Sequence, residues 1–248
     1  MRVKLKVLAA LLAAATLGSV PARSYKGSNE GQLVDSGSFT IFRQGRRVGT
    51  ETFTIHQRPD VSVVVAQLKI DDGKDKASQT SELQVASNGD LRHYEWKELS
   101  PGKAQATVDY RDQLLVEHIT TGPGAKAQER AFLVPASTLI LDDFFTHREI
   151  LLWRYMASYC GAAVSAQGCK LQPGRFGILV PRQQVTATAT LSYQGKDKVV
   201  FHGAERELDR FTLDSEDGAT WNLWVEASYP FKLMRILVPS ENVEVLRD

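Results

Sequence analysis

The sequence predicts a mainly β protein, a strongly curved antiparallel sheet or a (half-)barrel meander with one central helix packed in its concave face. Two observations predict the sheet: apolar and polar residues alternate with a period of two along most of the chain, and turn-forming residues separate the alternating segments. A third observation predicts the helix, because residues 141–160 instead place apolar side chains three and four positions apart. Roughly a dozen strands beside one helix exceed ordinary strand content, which favours a barrel-like sheet.

The first strands are predicted from GSFTIFRQGRRVGTETFTIH (37–56), in which two alternating segments are joined by a short turn at Gly45. Further strand-like segments follow at 61–70, 79–87, 91–99, 104–112 and 114–121. Asn88-Gly89 and Pro101-Gly102 lie between them and are typical of tight turns. Sequential strands joined in this way form an antiparallel meander.

Seven more strand-like segments follow the helix, at 174–182, 184–195, 198–205, 209–218, 219–227, 231–239 and 242–247. In QVTATATLSY (184–193) one face is apolar, and threonines and a serine form the other. The apolar face includes Ala187 and Ala189, whose small side chains leave space on the inner side of a sheet. We therefore expect the helix to lie against this strand.

The helix is predicted from LDDFFTHREILLWRYMASYC (141–160). Its apolar residues cover most of its circumference, which indicates burial on several sides. Asp142 or Asp143 is the expected N-cap, because an aspartate oxygen accepts hydrogen bonds from the first turn. Asp143 and His147 are four residues apart, as in a two-ligand metal site or a carboxylate-oriented histidine. No HExxH motif accompanies them, so we expect capping and no bound metal.

The N-terminus predicts export. Three basic residues precede the apolar stretch VLAALLAAATLGSV (7–20), and small residues lead to a cleavage position after Ala22. A transmembrane anchor is the competing interpretation, but this stretch is shorter than the roughly 20 residues that cross a bilayer. We expect a signal peptide at 1–22, a flexible leader at 23–36 and one β-rich domain at 37–248, with no later membrane span. The expected location is the periplasm or the extracellular space.

Charge and cysteine content limit the partners and the chemistry. Without the signal, 27 basic residues face 29 acidic ones, and this near-neutral balance argues against nucleic acid as a partner. Cys160 and Cys169 enclose a short loop, and an exported chain meets an oxidising compartment, which favours a disulfide. A metal pair or a catalytic thiol is the alternative, but two thiolates are fewer than a structural zinc site needs, and CxxC is absent from the sequence.

Familiar enzyme motifs are absent from the sequence, which has no G-x-S-x-G, Walker loop or G-x-G-x-x-G. GPGAKA (122–127) resembles a phosphate loop, but Lys126 is not followed by serine or threonine. We therefore expect no catalytic residues and no cofactor. A hydrolase-type enzyme is the third function class, after the two non-catalytic ones below.

A curved sheet with aromatic residues and a helix at its mouth is typical of an apolar binding cavity. The first function class is therefore a binding or carrier module for an apolar small molecule such as a lipid. The second is an envelope interaction or scaffold protein with a filled core and another envelope protein as partner. The residues expected to contact a ligand, at the junction of helix and sheet, are Phe144, Leu151, Tyr155, Ala187, Ala189 and Trp221.

Three segments resemble a known group of proteins: GSFTIFRQGRRVGTETFTI, LDDFFTHREILLWRY and LWVEASYPFKLMRILVPSENVEVLRD. They are similar to an uncharacterised group of exported bacterial domains of unknown function, whose predicted shape is similar to the half-barrel of periplasmic lipoprotein carriers. The resemblance spans nearly all of the chain from Gly37 onward. It implies an exported half-barrel with a central helix, and it assigns no catalytic residue.

We predict that the mature chain begins at Arg23 and that Cys160 and Cys169 form a disulfide. Intact-mass measurement of protein from the envelope fraction, before and after reduction and alkylation, tests both expectations. The mass should match a chain without its first 22 residues, and thiol-specific label should be taken up only after reduction. A chain that retains Met1, or one labelled without reduction, would contradict the respective expectation.

Overall fold

The structure, a computed structural model, describes residues 31–73, 76–160, 172–216 and 218–248. These residues form fifteen β-strands, one α-helix and two short 3-10 turns. The signal, most of the leader and Cys169 lie outside them, as does the side chain of Cys160, so the disulfide stays a prediction. No helix in the described ranges is long and apolar enough to cross a bilayer.

The strands divide into a group before the helix and a group after it. The first group is β1 (Gln32–Arg43), β2 (Arg46–Gln57), β3 (Val61–Asp71), β4 (Lys76–Ala86), β5 (Leu91–Ser100), β6 (Gln105–Arg111), β7 (Leu114–Thr120), β8 (Gln128–Phe132) and β9 (Leu139–Ile140). The helix α1 (Thr146–Cys160) follows. The second group is β10 (Gly174–Val180), β11 (Val185–Phe201), β12 (Ala204–Ser215), β13 (Thr220–Val225), β14 (Leu233–Val238) and β15 (Val243–Arg247).

All fifteen strands belong to one sheet, in the order β8-β7-β6-β5-β4-β3-β2-β1-β15-β14-β13-β12-β11-β10-β9. Each neighbouring pair is antiparallel except β9 and β10, which are parallel because α1 connects them as a crossover. The first and last strands of the meander, β1 and β15, pair with each other from Phe39 with Arg247 to Arg43 with Val243. This confirms the predicted curved, mostly antiparallel sheet with a single helix.

The predicted turns lie where the sequence placed them. The β1–β2 hairpin turns at Gln44 and Gly45, and the β4–β5 hairpin turns at Asn88-Gly89, where Gly89 has a φ of +86°. That left-handed conformation explains the glycine. The β1–β2 turn also meets the β14–β15 turn, since the amide of Gln44 donates to the carbonyl of Asn242.

The helix lies inside the curve of the sheet. Leu151, Leu152 and Tyr155 have no exposed surface. The ring of Tyr155 lies so close to Gly174 at the start of β10 that an added Cβ there would be 2.9 Å from it. All side chains from Thr146 to Leu152 are buried, whereas Ala157 and Ser158 in the last turn are exposed. Burial on all sides of the first two turns agrees with the apolar circumference predicted for the helix, and it confirms the expected packing in the concave face.

Two element boundaries differ from the sequence prediction. Strand β1 begins at Gln32, so the last five residues of the expected leader, 32–36, belong to the sheet. The reason is Asp35, which is buried and accepts a hydrogen bond from Arg247 at the end of β15. The helix begins at Thr146, several residues after the expected aspartate caps, because its first amides are bound by another strand, as described below.

Two turns at the same end of the sheet repeat a short sequence, Ile-Leu-Val-Pro, at 178–181 and 236–239. Each proline begins a 3-10 turn, and each turn ends on a left-handed residue, Gln184 or Asn242. The two turns join β10 to β11 and β14 to β15. The sequence analysis did not identify this pair, although the repeated tetrapeptide was a visible signal.

We predict that Leu152→Ala lowers the free energy of unfolding by about 2 to 5 kcal/mol, because it leaves a cavity between helix and sheet. Val200→Ala is the matched control, since that side chain is 75% exposed and should change stability by less than about 0.5 kcal/mol. Chemical denaturation of both variants measures the difference. Equal stabilities would show that the helix is not packed as described.

Candidate functional site

A cavity of about 570 Å³ lies on the concave side of the sheet, at the end where the two Ile-Leu-Val-Pro turns lie. Its apolar walls come from both strand groups and include Ile41, Val48, Leu68, Ile70, Leu213 and Val243. Residues of both turns, among them Gln183 and Glu241, lie at its mouth. The volume is within the usual range for small-molecule sites, roughly 300 to 1,000 Å³.

The cavity exists because the helix fills only part of the concave space. Of the helix residues, only Arg148 lines the cavity, and the rest of α1 lies beyond it, beside the start of β10 and β14. Small side chains on β11 keep the remaining space open: Ala187 and Ala189 both lie on the wall. The floor of the cavity is thus the beginning of the helix.

The six residues expected to contact a ligand separate into two groups. Ala187, Ala189 and Trp221 line the cavity. Phe144, Leu151 and Tyr155 do not line it, since they are fully buried in the core between helix and sheet. The sequence of a helix that is buried on most sides does not reveal which side faces a cavity, so these two groups could not be separated from the sequence.

Arg148 occupies the floor of the cavity and is only 6% exposed. Its Nη1 donates to the carbonyls of Asp142 and Phe144, the latter at 2.7 Å. Its guanidinium carbon lies 4.3 Å from the ring centre of Trp221, which is a cation–π contact. Among the described residues it has no salt-bridge partner within 4 Å, and its Nε is buried without a hydrogen bond.

Glu51 of β2 holds the start of the helix. Its two carboxylate oxygens accept the amides of Phe145 and Thr146, at 2.7 and 2.9 Å. This contact replaces the aspartate cap that the sequence predicted, because the first amides point at β2. Burial raises the pKa of Glu51 to about 8, against the opposing effect of the two backbone amides. Glu51 was recognisable in the sequence, since it alternates in phase with the inward residues Phe53 and Ile55.

Asp142, and not Asp143, is the partner of His147. The Nδ1 of His147 lies 2.7 Å from Oδ1 of Asp142, and the hydroxyl of Tyr94 donates to the other oxygen of that carboxylate. Asp143 is half exposed at the rim of the cavity and forms an ion pair with Arg182. Although burial acts to raise the pKa of Asp142, the interactions with His147 and Tyr94 lower it overall. The alternative that the four-residue spacing offered, a carboxylate-oriented histidine, is therefore found one residue earlier, at Asp142, because residues 141–145 precede the helix.

Ser81 completes a serine–histidine–aspartate series, with its hydroxyl 3.4 Å from Nε2 of His147. The order of contacts resembles that of a hydrolytic triad. Ser81 is 3% exposed, however, and it does not line the large cavity. The small void beside His147 measures about 10 Å³, roughly the space for one water molecule. The geometry therefore provides a network that ties the helix to β4 and β5, with no room for a substrate.

Within the part of the chain that the structure describes, no group of three histidine, cysteine, aspartate or glutamate residues is placed to hold a metal ion.

We predict that Glu51→Gln changes how stability depends on pH. The pKa of Glu51 rises from 4.5 to about 8 on folding, so the protonated carboxyl favours the folded state. This contribution to the free energy of unfolding is fully present below pH 4.5 and is lost as the pH rises through 8. Stability of the wild type relative to Glu51→Gln should fall between pH 5 and 8 by up to about 1.4 kcal/mol per pH unit.

Denaturation at a series of pH values measures this difference. Other buried carboxyls titrate in the same range, and the pKa of Glu51 also responds to Asp142 and Arg148, so the difference between the two proteins is the relevant quantity. The control is Glu205→Gln, an exposed carboxylate on β12. A difference between wild type and Glu51→Gln that is as flat as this control would contradict the assignment.

Comparison with known proteins identifies a structural likeness. A crystal structure of a beta-barrel-like protein of domain of unknown function DUF1849 from Brucella abortus is similar to this chain, with a TM-score of 0.51 and 8% sequence identity. The match covers 88% of this chain and 96% of that one. No protein-family model matches the sequence, and a search of curated proteins gives no match. At this identity the likeness establishes a shared barrel-like fold, in agreement with the expectation of a domain-of-unknown-function family of this shape.

Proposed function

We propose that this protein is a non-catalytic binding or carrier module that holds an apolar ligand, such as a lipid, in the cavity above the helix. The observation that supports this most strongly is the cavity itself: about 570 Å³ with aliphatic walls, in a domain whose remaining interior is filled by the helix. Protein interiors are close-packed, and space of this size lined by apolar side chains destabilises a fold unless something occupies it. An apolar ligand would gain the free energy of leaving water.

The walls and the mouth differ in character, as a carrier requires. Most of the interior is lined by aliphatic side chains, with the buried Gln79, Asp142 and Arg148 among them, while Arg43, Gln183 and Glu241 lie at the open end. A ligand could thus enter past polar groups and become buried among apolar ones. The curved sheet with a helix inside it is compatible with the same proposal, since the sequence resemblance noted above implies a shape similar to that of half-barrel carriers.

Export is part of the proposal. The basic start, the apolar stretch and the small residues before Ala22 support a secretory signal. A carrier of apolar ligands has a role in a periplasmic or extracellular compartment, where such molecules need a protein to shield them from water. The N-terminal mass measurement described above tests this part.

The two other function classes have less support. A scaffold with a filled core is less consistent with an open cavity beside Trp221. A hydrolase would need access to Ser81, whose hydroxyl lies apart from the cavity.

We predict that Ala189→Trp reduces the affinity for N-phenylnaphthylamine, a neutral apolar dye that fluoresces out of water, by about tenfold or more. The indole would occupy space on the cavity wall that the methyl group leaves open. Dye titration followed by fluorescence measures the affinity, and a thermal melt establishes that the variant is folded.

The matched control is Thr186→Trp, on the same strand but on its outward, exposed face. This variant should bind the dye like the wild type. Absence of dye binding by folded wild-type protein, or equal loss in both variants, would overturn the proposed function.

A further inference from the structure

We infer that the ligand has a single anionic group, the carboxylate of an acyl chain, which Arg148 binds at the floor of the cavity. The inference rests on the proposed function and names the class of ligand that the same cavity takes. The acyl chain would extend from the floor along the aliphatic walls toward the mouth.

Arg148 is held in place, yet no carboxylate in the described chain neutralises its positive charge. Two backbone carbonyls and the ring of Trp221 fix its guanidinium group. Neither carbonyl nor ring removes its positive charge, and no carboxylate of a described residue lies within salt-bridge distance. A buried arginine ordinarily has an ionic partner, because removing an isolated charge from water is costly.

The Nε of Arg148 is buried and has no hydrogen-bond partner in the described structure. Arginine binds carboxylates through two parallel N–H groups, and Nε commonly provides one of them. An unpartnered buried donor beside a cavity needs an explanation. Nε has almost no surface accessible from the cavity either, so an anionic ligand group at the floor would reach this donor once the guanidinium group turned toward it.

The acidic groups around the cavity do not substitute for this ligand. Asp142 also lines the cavity, but both its oxygens accept hydrogen bonds from His147, Tyr94 or the amide of Phe144. Asp143 is paired with Arg182 at the surface. Asp142, Glu51 and Glu241, in that order, act on Arg148 electrostatically, and none of them forms a salt bridge with it.

Glu51, although close to the floor, also leaves Arg148 available. Its oxygens accept the first helix amides, and the pKa of about 8 means that this carboxyl is mostly neutral at neutral pH. Glu51 therefore adds little opposing negative charge to the floor.

The other cation at the cavity, Arg43, differs from Arg148 in both position and pairing. It ends β1, half of its side chain is exposed, and it forms a salt bridge of 3.2 Å with Asp72. It therefore provides the matched control for a charge effect that is not specific to the floor.

The experiment compares ligands of equal chain length and different head group. Decanoic acid, decanol and decyltrimethylammonium each compete with N-phenylnaphthylamine on the full mature protein at neutral pH, and acetate serves as an anion without a chain. We expect decanoate to bind about tenfold more tightly than decanol, in line with a charged hydrogen-bonded pair in a buried site. The cation and acetate should compete weakly.

The variants assign this preference to a residue. In Arg148→Gln, decanoate and decanol should bind equally, while Arg148→Lys should keep a reduced preference for the acid, and Arg43→Gln should keep the full one. Circular dichroism establishes that each variant is folded. Should Arg148→Gln fail to fold, the wild type, Arg148→Lys and Arg43→Gln still decide the outcome.

The possible failures are distinguishable. If decanol and the dye bind but the wild type does not prefer decanoate, the inference is wrong and the proposed apolar cavity stands. Loss of the preference in Arg43→Gln would also overturn the inference, since it would place the anion at the mouth. If none of the chain-bearing compounds competes and the dye does not bind, the proposed function itself fails.

Discussion

The contact between Glu51 and the start of the helix is the interaction on which the rest of this structure depends. A helix begins with amides that have no partner inside the helix, and burying them unsatisfied would be costly. Glu51 provides both acceptors from the middle of strand β2. The helix therefore starts partway along the concave space, and the space before its first turn remains open.

A second buried contact fixes the other side of the helix. Arg247, at the end of β15, binds both Glu149 of the helix and Asp35 of β1, at 3.1 and 2.6 Å. Burial raises the pKa of Glu149 well above its usual range, while Asp35 has a lowered pKa because Glu149 and Arg247 outweigh the opposing effect of burial. This cluster joins the first strand, the last strand and the helix. It explains why residues 32–36, polar in sequence, are part of the sheet.

Together these contacts divide the interior into two parts with different properties. Around Leu151, Leu152 and Tyr155 the helix is packed against strands on all sides, as in any protein core. Before its first turn, small alanines and short aliphatic side chains surround space that the chain does not fill. The charge of Arg148 lies at the boundary between these parts. A site that combines an apolar wall with one fixed charge can select a ligand by both its chain and its head group.

The elements and their order follow from local sequence patterns. Alternation with a period of two identifies the strands, Asn88-Gly89 identifies a hairpin turn, and the apolar circumference of residues 141–160 identifies a buried helix, because these signals depend on neighbouring residues alone. Inward-facing Ala187, Ala189 and Glu51 follow from the same alternation. The three-dimensional fold was needed to show that the helix starts at Thr146, that His147 pairs with Asp142, and that Arg148 lines a cavity while Phe144 does not. The physical reason is that a helix buried on most sides, with Arg148 and Glu149 buried as well, has no preferred rotation of its own. Its orientation comes from Glu51 and Arg247, residues distant in sequence that the fold brings to it.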